Sequence, residues 1–251
     1  MWKDKKLSVV FPTYNEKDSI RSAIEEFFES GYVDEIVVVN NNAAEGTDDE
    51  VRPTQARLVY ETRQGYGHAI WKGLEEATGD LLMIAEPDGT FSGHDVIKLL
   101  AYSDDVPVVF GTRTQREFVW EGANMGFLIK WANWGVAKIM EFLFNTTLLT
   151  DVGCSMRLMT REAYERIEPQ FTVGGSAFGP QIALLVILND VPFIEIPVNY
   201  RKRVGESSVT GNKFKAAWLG MKMTMMILRY RLLSWFGWRP PLREDVSQPG
   251  D

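Results

Sequence analysis

Leu81-Leu82-Met83-Ile84-Ala85-Glu86-Pro87-Asp88-Gly89 decides the fold of this chain. The unbroken apolar run reads as a strand buried on both faces, and Pro-Asp-Gly is strong turn chemistry, so a sheet ends here. Two carboxylates then stand where the strand's carboxyl end meets solvent, the place where open α/β sheets bind their ligands. Hard divalent cations take oxygen ligands and share them with substrate phosphates, which makes Glu86 and Asp88 a candidate Mg2+ or Mn2+ site beside a nucleoside diphosphate. Taken alone, the stretch is better explained as a plain β-turn over Pro87, Asp88 and Gly89.

Its neighbours repeat the pattern. Leu7-Ser8-Val9-Val10-Phe11 reads as a buried strand, followed by Pro12-Thr13-Tyr14-Asn15-Glu16 and a helical pattern through Ile20, Ile24, Phe27 and Phe28. A second strand, Glu35-Ile36-Val37-Val38-Val39, ends in Asn40-Asn41-Asn42. Gly65-Tyr66-Gly67-His68-Ala69, Gly73-Leu74 and Ala77-Thr78-Gly79-Asp80 then lead into the strand before Glu86. Beyond it the pattern predicts a helix from about Asp95 to Tyr102, started near Ser92 or Gly93, and a strand Val106-Pro107-Val108-Val109-Phe110 that Gly111-Thr112-Arg113 leaves. Such alternation predicts an α/β fold with a mainly parallel sheet, helices on both faces and a ligand beyond the strands' carboxyl ends.

Composition narrows the function. A formal charge of −7 and a pI near 5.1 argue against a phosphate-backbone binder, so nucleic acid is excluded as the expected partner. The single cysteine, Cys154, permits no intrachain disulfide and reads as a buried, inert thiol. His68 reads as a polar helix-entry residue and His94 as a solvated one. Met-Trp-Lys-Asp-Lys-Lys at the start has no apolar signal-peptide core, so the expected location is cytoplasmic.

The order of these motifs resembles the nucleotide-sugar-binding half of family 2 glycosyltransferases, which have the Rossmann-like GT-A fold. Within that family it is most similar to the dolichol-phosphate mannosyltransferase and polyprenyl-phosphate glycosyltransferase branch. The likeness runs from Leu7 into the helix after Gly211. It takes in Asp151-Val152-Gly153-Cys154-Ser155-Met156-Arg157 and the basic loop Arg201-Lys202-Arg203-Val204-Gly205-Glu206-Ser207-Ser208. The resemblance implies inverting transfer of a sugar from a nucleotide diphosphate sugar to a polyprenyl phosphate, with Mg2+ or Mn2+ held by Glu86 and Asp88. The branch more often carries two aspartates around a small residue, so Asp88 is the firmer ligand and Glu86 and Pro87 are departures.

The resemblance also assigns the donor pocket. Pro12, Tyr14 and Glu16 would line the base and ribose, although Asn15 as a helix cap and Glu16 in the first turn explain the same residues. Gly65 and Gly67 would let backbone approach the nucleotide, or would merely belong to a loop. Family members commonly carry an aspartate where this chain has Asn40. An uncharged amide accepts a weaker bond, which costs guanine more than uracil and favours UDP-sugar over GDP-sugar. Arg113, Arg201 and Arg203 would clamp phosphates, with surface ion pairs as the alternative for each. Asp151 joins Asp88 as a catalytic candidate, either as a base on the acceptor, as a positioning group, or as a turn acid before a strand at Val152.

The expected organisation is a catalytic domain over 1–211, an amphipathic helical segment over 212–238 packed on it or at the membrane surface, and a disordered tail over 239–251. Phe214, Trp218, Met221, Met225, Leu228, Leu232 and Trp235 repeat at spacings of four and three, while Lys215, Lys222 and Arg229 repeat every seven. Phe127-Leu128-Ile129-Lys130-Trp131 through Trp134 to Phe144 is similarly aromatic. Neither holds the ~18 uninterrupted uncharged residues of a membrane span, and both suit the headgroup plane. Core packing or a homo-oligomer interface explains the same stripe. Rival functions are transfer to a soluble or saccharide hydroxyl and a catalytically silent nucleotide-sugar-binding scaffold.

Overall fold

The apolar runs pair into one seven-stranded sheet of order β3-β2-β1-β4-β6-β5-β7. Its strands are β1 (Leu7–Thr13), β2 (Glu35–Asn40), β3 (Arg57–Tyr60), β4 (Leu81–Ile84), β5 (Val108–Thr112), β6 (Arg157–Thr160) and β7 (Phe193–Pro197). The helices are α1 (Lys17–Glu29), α2 (Thr47–Val51), α3 (Tyr66–Glu76), α4 (Val96–Tyr102), α5 (Phe127–Phe144), α6 (Arg161–Ile167), α7 (Phe178–Leu188) and α8 (Lys213–Trp235). This computed structural model describes residues 1–123, 127–205 and 213–237, with backbone alone over 127–129 and 213–217. Glu206, Ser207 and Ser208 of the basic loop, the side chains of Phe214 and Lys215, the expected boundary at 211 and the tail over 239–251 lie outside the described residues.

All pairings are parallel except those of β6, which runs antiparallel to β4 and β5. The sheet is therefore the expected mixed, mainly parallel one. Strand β1 lies between β2 and β4 and is parallel to both, so the segments leaving β1 and β4 emerge side by side at the carboxyl ends of the sheet, where such folds bind their ligands. Tyr14 and Glu16 follow β1, and Glu86 and Asp88 follow β4. Topology alone puts these four residues at one crevice.

The two faces of the sheet carry separate cores. Val10, Val37, Val39, Leu82 and Ile84 pack with α3, α7 and the inner sides of α5 and α8. Leu7, Val9, Phe11, Ile36, Val38 and Met83 pack with α1 and α4. Alternate side chains of one strand thus enter opposite cores, which is why the strands read as continuous apolar runs. Helix α1 buries Ile20, Ala23, Ile24 and Phe27 at helical spacing, and it stops where Gly31 takes a φ of +77°. Gly73 lets α3 lie close to the sheet, because a β-carbon there would stand 2.2 Å from Val10 Cγ1.

Two local expectations change, at β5 and after Asp151, and the start near Ser92 holds. Strand β5 begins at Val108 and includes Gly111 and Thr112, so only Arg113 leaves its end. A 3₁₀ turn over Gly93–Asp95, capped by the Ser92 hydroxyl accepting from His94 N, precedes α4. Residues 152–156 are an irregular turn, and the strand after Asp151 starts only at Arg157.

Candidate active site

Asp88 is fully buried at the crevice. Its Oδ1 accepts hydrogen bonds from Thr90 N at 2.9 Å and Thr90 Oγ1 at 2.5 Å. The turn is held from below by Ser19 of α1, whose hydroxyl donates to Pro87 O at 2.7 Å. It is held from the side by Val204 N donating to Asp88 O at 2.9 Å and Arg201 N donating to Thr90 O at 2.8 Å. Those two bonds lay the backbone of 201–204 alongside 88–90 and bring Arg203 over the acids. Arg203 Nη2 stands 2.7 Å from Glu86 Oε2 and 2.5 Å from Asp88 Oδ2, and its Nη1 stands 3.9 Å from Glu16 Oε1.

Burial, then the charge on Glu86, pushes the Asp88 carboxyl up to about 7, while Arg203 opposes the shift. Burial alone would lower the Arg203 pKa, but Asp88 and Glu86 outweigh it and raise it. Asp88 Oδ2 is buried and receives no hydrogen bond; its contact with Arg203 is ionic and poorly aligned. Two carboxylates, one with a buried oxygen that accepts no hydrogen bond, fit a hard divalent cation. Among the described residues no three acids, histidines or cysteines form a closed metal cage. The donor set therefore suits an ion completed by substrate phosphate and water.

At the β2 end Asn40 is held by the chain's own groups. Asn40 Oδ1 accepts from Ala43 N at 2.8 Å, and its Nδ2 donates to Asp48 Oδ1 at 2.6 Å. The amide oxygen assigned to the base is already engaged by the chain's own backbone. Tyr60 donates its hydroxyl to the other Asp48 oxygen at 2.7 Å. A carboxylate at position 40 would face that of Asp48, so Asn40→Asp is expected to destabilise the fold by about 1–3 kcal/mol. Urea unfolding checks this. Asn40→Asp/Asp48→Asn should recover the loss, and an unchanged single variant would mean that the two side chains do not meet.

The other pocket residues also acquire different tasks. Pro12 is buried inside β1 opposite Val39 and shapes the strand rather than lining the crevice. Tyr14 is 45% exposed and presents its ring to solvent. Glu16, not Asn15, occupies the N-cap position of α1, and its carboxylate folds back to accept from Tyr14 N at 2.6 Å and Asn15 N at 2.8 Å. Gly65 and Gly67 make room for the chain itself: β-carbons there would stand 2.2 Å from Gly174 O and 2.3 Å from Val173 O. Asn41, buried, staples the same loop through Glu61 O, Arg63 O and Gly65 N.

Asp151 and Arg113 form one buried unit. Arg113 Nε donates to Oδ2 at 2.8 Å and Nη2 to Oδ1 at 2.9 Å, a two-pronged pair reinforced by Arg113 N at 3.1 Å and Gly153 N at 3.1 Å. Burial alone would raise the Asp151 pKa, but the guanidinium and these donors hold it below the usual carboxylate range. Asp151 therefore does not stand free as a base, and the Arg113 fork is spent on it rather than on phosphate. Arg201 turns away as well, pairing with Glu26 at 2.9 Å and with the Ser92 hydroxyl at 2.6 Å. Of the three arginines expected to clamp phosphate, Arg203 alone reaches Glu86 and Asp88. Cys154 is buried, and burial pushes its thiol up to about 12, as an inert residue requires.

Sequence reasoning missed the groups that hold this loop. Glu195 of β7 accepts from Thr150 N at 2.7 Å and Asp151 N at 2.9 Å. The buried Arg157 donates to Cys154 O at 2.8 Å and Val152 O at 2.7 Å. Gly153 packs on α5, where a β-carbon would stand 2.6 Å from Asn133 Nδ2. A polar residue in a short strand was the available signal for Glu195, and the quoted Asp151-to-Arg157 motif contained Arg157.

Comparison with known proteins agrees with this geometry. The model of the family described as Glycosyl transferase family 2 matches residues 8–168. The chain belongs to this family. A dolichyl-phosphate hexose transferase of Haloferax volcanii is 27% identical over 228 residues, covering 90% of this chain and 96% of that protein. The human dolichyl-phosphate beta-glucosyltransferase is 24% identical over 262 residues, covering 92% of this chain and 76% of that protein. The low-salt glycan biosynthesis hexosyltransferase Agl6 of Haloferax volcanii is 24% identical over 225 residues; the match covers 88% of this chain and about half, 53%, of that relative. Among solved structures, glucosyl-3-phosphoglycerate synthase from Mycobacterium tuberculosis in complex with Mn2+, UDP and glucosyl-3-phosphoglycerate superposes with a TM-score of 0.69 at 15% identity. That match covers 91% of this chain and 80% of the synthase, and shows the shared GT-A fold.

Proposed function

We propose that this family 2 glycosyltransferase moves a hexosyl group, with inversion, from a uridine diphosphate sugar to the phosphate of a polyprenyl phosphate at a membrane surface. The observation that carries the reading is a chain of contacts from the acids towards an apolar surface: Tyr200 feels the charges of Asp88 and Glu86, and the Arg113 guanidinium that grips Asp151 stands 5.1 Å from the Tyr200 ring. The loop over 151–153 packs on Asn133 of α5, and Trp131 and Trp134 on either side of it are 52% and 39% exposed. A lipid held by such a face would bring its phosphate to the crevice. Two relatives named as dolichyl-phosphate sugar transferases support the same acceptor class.

Glu86 and Asp88 would hold a divalent cation, which neutralises the charge gathering on the leaving diphosphate. Arg203, the guanidinium nearest these acids, would offer its fork of donors to the diphosphate itself. The acceptor phosphate is already anionic near neutral pH, so its oxygen attacks the anomeric carbon without surrendering a proton. No free base is then required, which agrees with an Asp151 consumed by Arg113. The pair instead fixes the loop that packs on Asn133 of α5. The uridine preference rests on the lack of a carboxylate at position 40, where the amide oxygen is taken by Ala43 N and guanine's paired donors would find no charged acceptor.

Release of nucleoside diphosphate from UDP-glucose and GDP-mannose, with and without a short polyprenyl phosphate, tests this directly. Release from the uridine donor should rise at least about tenfold when the lipid phosphate is added. Equal turnover with glycerol or a free saccharide would move the assignment to a hydroxyl acceptor, and faster use of the guanosine donor would reverse the base preference.

A further inference from the structure

Three carboxylates converge on one guanidinium at the mouth of the crevice. Asp88, fully buried, and Glu86 share Arg203 Nη2 at 2.5 and 2.7 Å, and Glu16 faces Nη1 at 3.9 Å. We propose that Arg203 is the built-in counter-cation of these acids, that it competes with the divalent ion for the same oxygens, and that a nucleoside diphosphate releases it by offering a better anion. The proposal rests on the reading of Glu86 and Asp88 as cation ligands.

Competition follows from the geometry. The oxygens nearest the guanidinium, Asp88 Oδ2 and Glu86 Oε2, are the ones a hard cation would take, since Asp88 Oδ1 already accepts two bonds from Thr90. A dication and a guanidinium cannot occupy one carboxylate edge together, because their charges repel and their contact distances overlap. With the ion alone, Arg203 would have to be displaced from a site where it is largely shielded from water, its side chain being 24% exposed.

Release follows from the backbone. Val204 N bonds to Asp88 O and Arg201 N to Thr90 O, so the segment stays fixed while the side chain swings. A displaced guanidinium therefore remains within reach of the crevice. A planar fork of N–H donors pairs with phosphate oxygens in two-pronged fashion, so a diphosphate bound beside the acids would receive it. Ion and nucleotide then bind with positive coupling, each tightening the other by the same factor. The acids stay neutralised whether the donor is present or absent.

Mn2+ binding to the full chain, measured by electron paramagnetic resonance with and without UDP, separates the alternatives without turnover. The unmodified protein should bind Mn2+ weakly alone and at least about tenfold more tightly with saturating UDP. Arg203→Gln should bind Mn2+ alone about tenfold more tightly than the unmodified protein and gain less from UDP, while Arg203→Lys should restore weak binding. The melting temperature guards against a folding artefact, because Mn2+ alone should raise it more in Arg203→Gln than in the unmodified chain. Unchanged Mn2+ affinity in Arg203→Gln, with Asp88→Asn abolishing it, would overturn the competition and leave the cation site standing. Absence of Mn2+ binding in every form, UDP included, would remove the cation site and the proposal with it.

Discussion

Asp88→Asn is expected to lower turnover by about 10³-fold while leaving the fold intact. The side chain is fully buried, and its charge is the one closest to Arg203. Asparagine keeps the volume and an oxygen that accepts from Thr90 N and Thr90 Oγ1, so the turn after β4 survives. What disappears is the anionic oxygen Oδ2, which receives no hydrogen bond and stands 2.5 Å from Arg203 Nη2. A loss of about 10³ corresponds to about 4 kcal/mol of transition-state stabilisation, the range seen when one charge-stabilising group is removed from a dry site. Glu86→Gln should cost only about tenfold, because that side chain is 28% exposed and water can replace it at the ion. Release of nucleoside diphosphate at saturating donor and Mn2+, together with thermal melts, checks both variants. Near-normal turnover of Asp88→Asn at limiting Mn2+ would detach this residue from the cation.

The parts of the fold legible in the sequence are those governed by neighbours in the chain. Runs such as Leu7–Phe11 and Leu81–Ala85 are apolar at every position but one because each strand is covered on both faces, and turn chemistry after β4 marks its carboxyl end. The crevice at β1 and β4 follows from strand–helix alternation. Contacts between distant residues were not legible. Arg113 meets Asp151 across 38 positions, and Arg203 meets Glu86 across 117. Either arginine alone looks like a phosphate clamp, and only the folded chain decides which one has its donors spent. Gly65 and Gly67 leave two readings open for a similar reason: a missing side chain signals close approach, but not what approaches. Helix α7 escaped because it is apolar all round, which leaves no period to read.

Helix α8 shows the same limit more sharply and leads to a further expected result. It carries two apolar stripes. Met223, Ile227 and Tyr230 are buried, and Gln181 Nε2 of α7 donates to the Tyr230 hydroxyl at 2.9 Å, so this stripe fastens the helix to the body. Trp218, Met221, Met225, Leu228, Leu232 and Trp235 form the other, each between 43% and 63% exposed. The periodicity identified the second stripe but could not show that the first had already taken the protein side. Cations flank the exposed rings: Lys222 Nζ lies 5.5 Å from the Trp218 ring centre, and the Arg231 guanidinium 5.1 Å from that of Trp235.

Residues 213–237 hold Lys213, Lys215, Lys222, Arg229 and Arg231 and no acid, in a chain whose net charge is −7. An exposed apolar stripe flanked by basic residues has the chemistry that the headgroup plane of an anionic bilayer favours. Each basic residue near such a surface contributes about 1 kcal/mol, and reversal both removes an attraction and adds a repulsion. Lys222→Glu/Arg229→Glu should therefore weaken binding to phosphatidylserine-containing vesicles on the order of 10²-fold at low salt. Added salt should shrink the gap, since these charges are exposed and screened. Met225→Ser/Leu228→Ser should also weaken binding, but equally at low and high salt, because apolar burial carries no charge. Turnover on a short, water-soluble prenyl phosphate should persist in both variants, as Glu86, Asp88 and Arg203 lie on other elements. Vesicle co-sedimentation combined with analytical ultracentrifugation decides the matter. Equal vesicle binding by all forms would exclude the lipid contact, and a dimer that the Met225→Ser/Leu228→Ser variant dissolves would assign this stripe to a second copy of the chain.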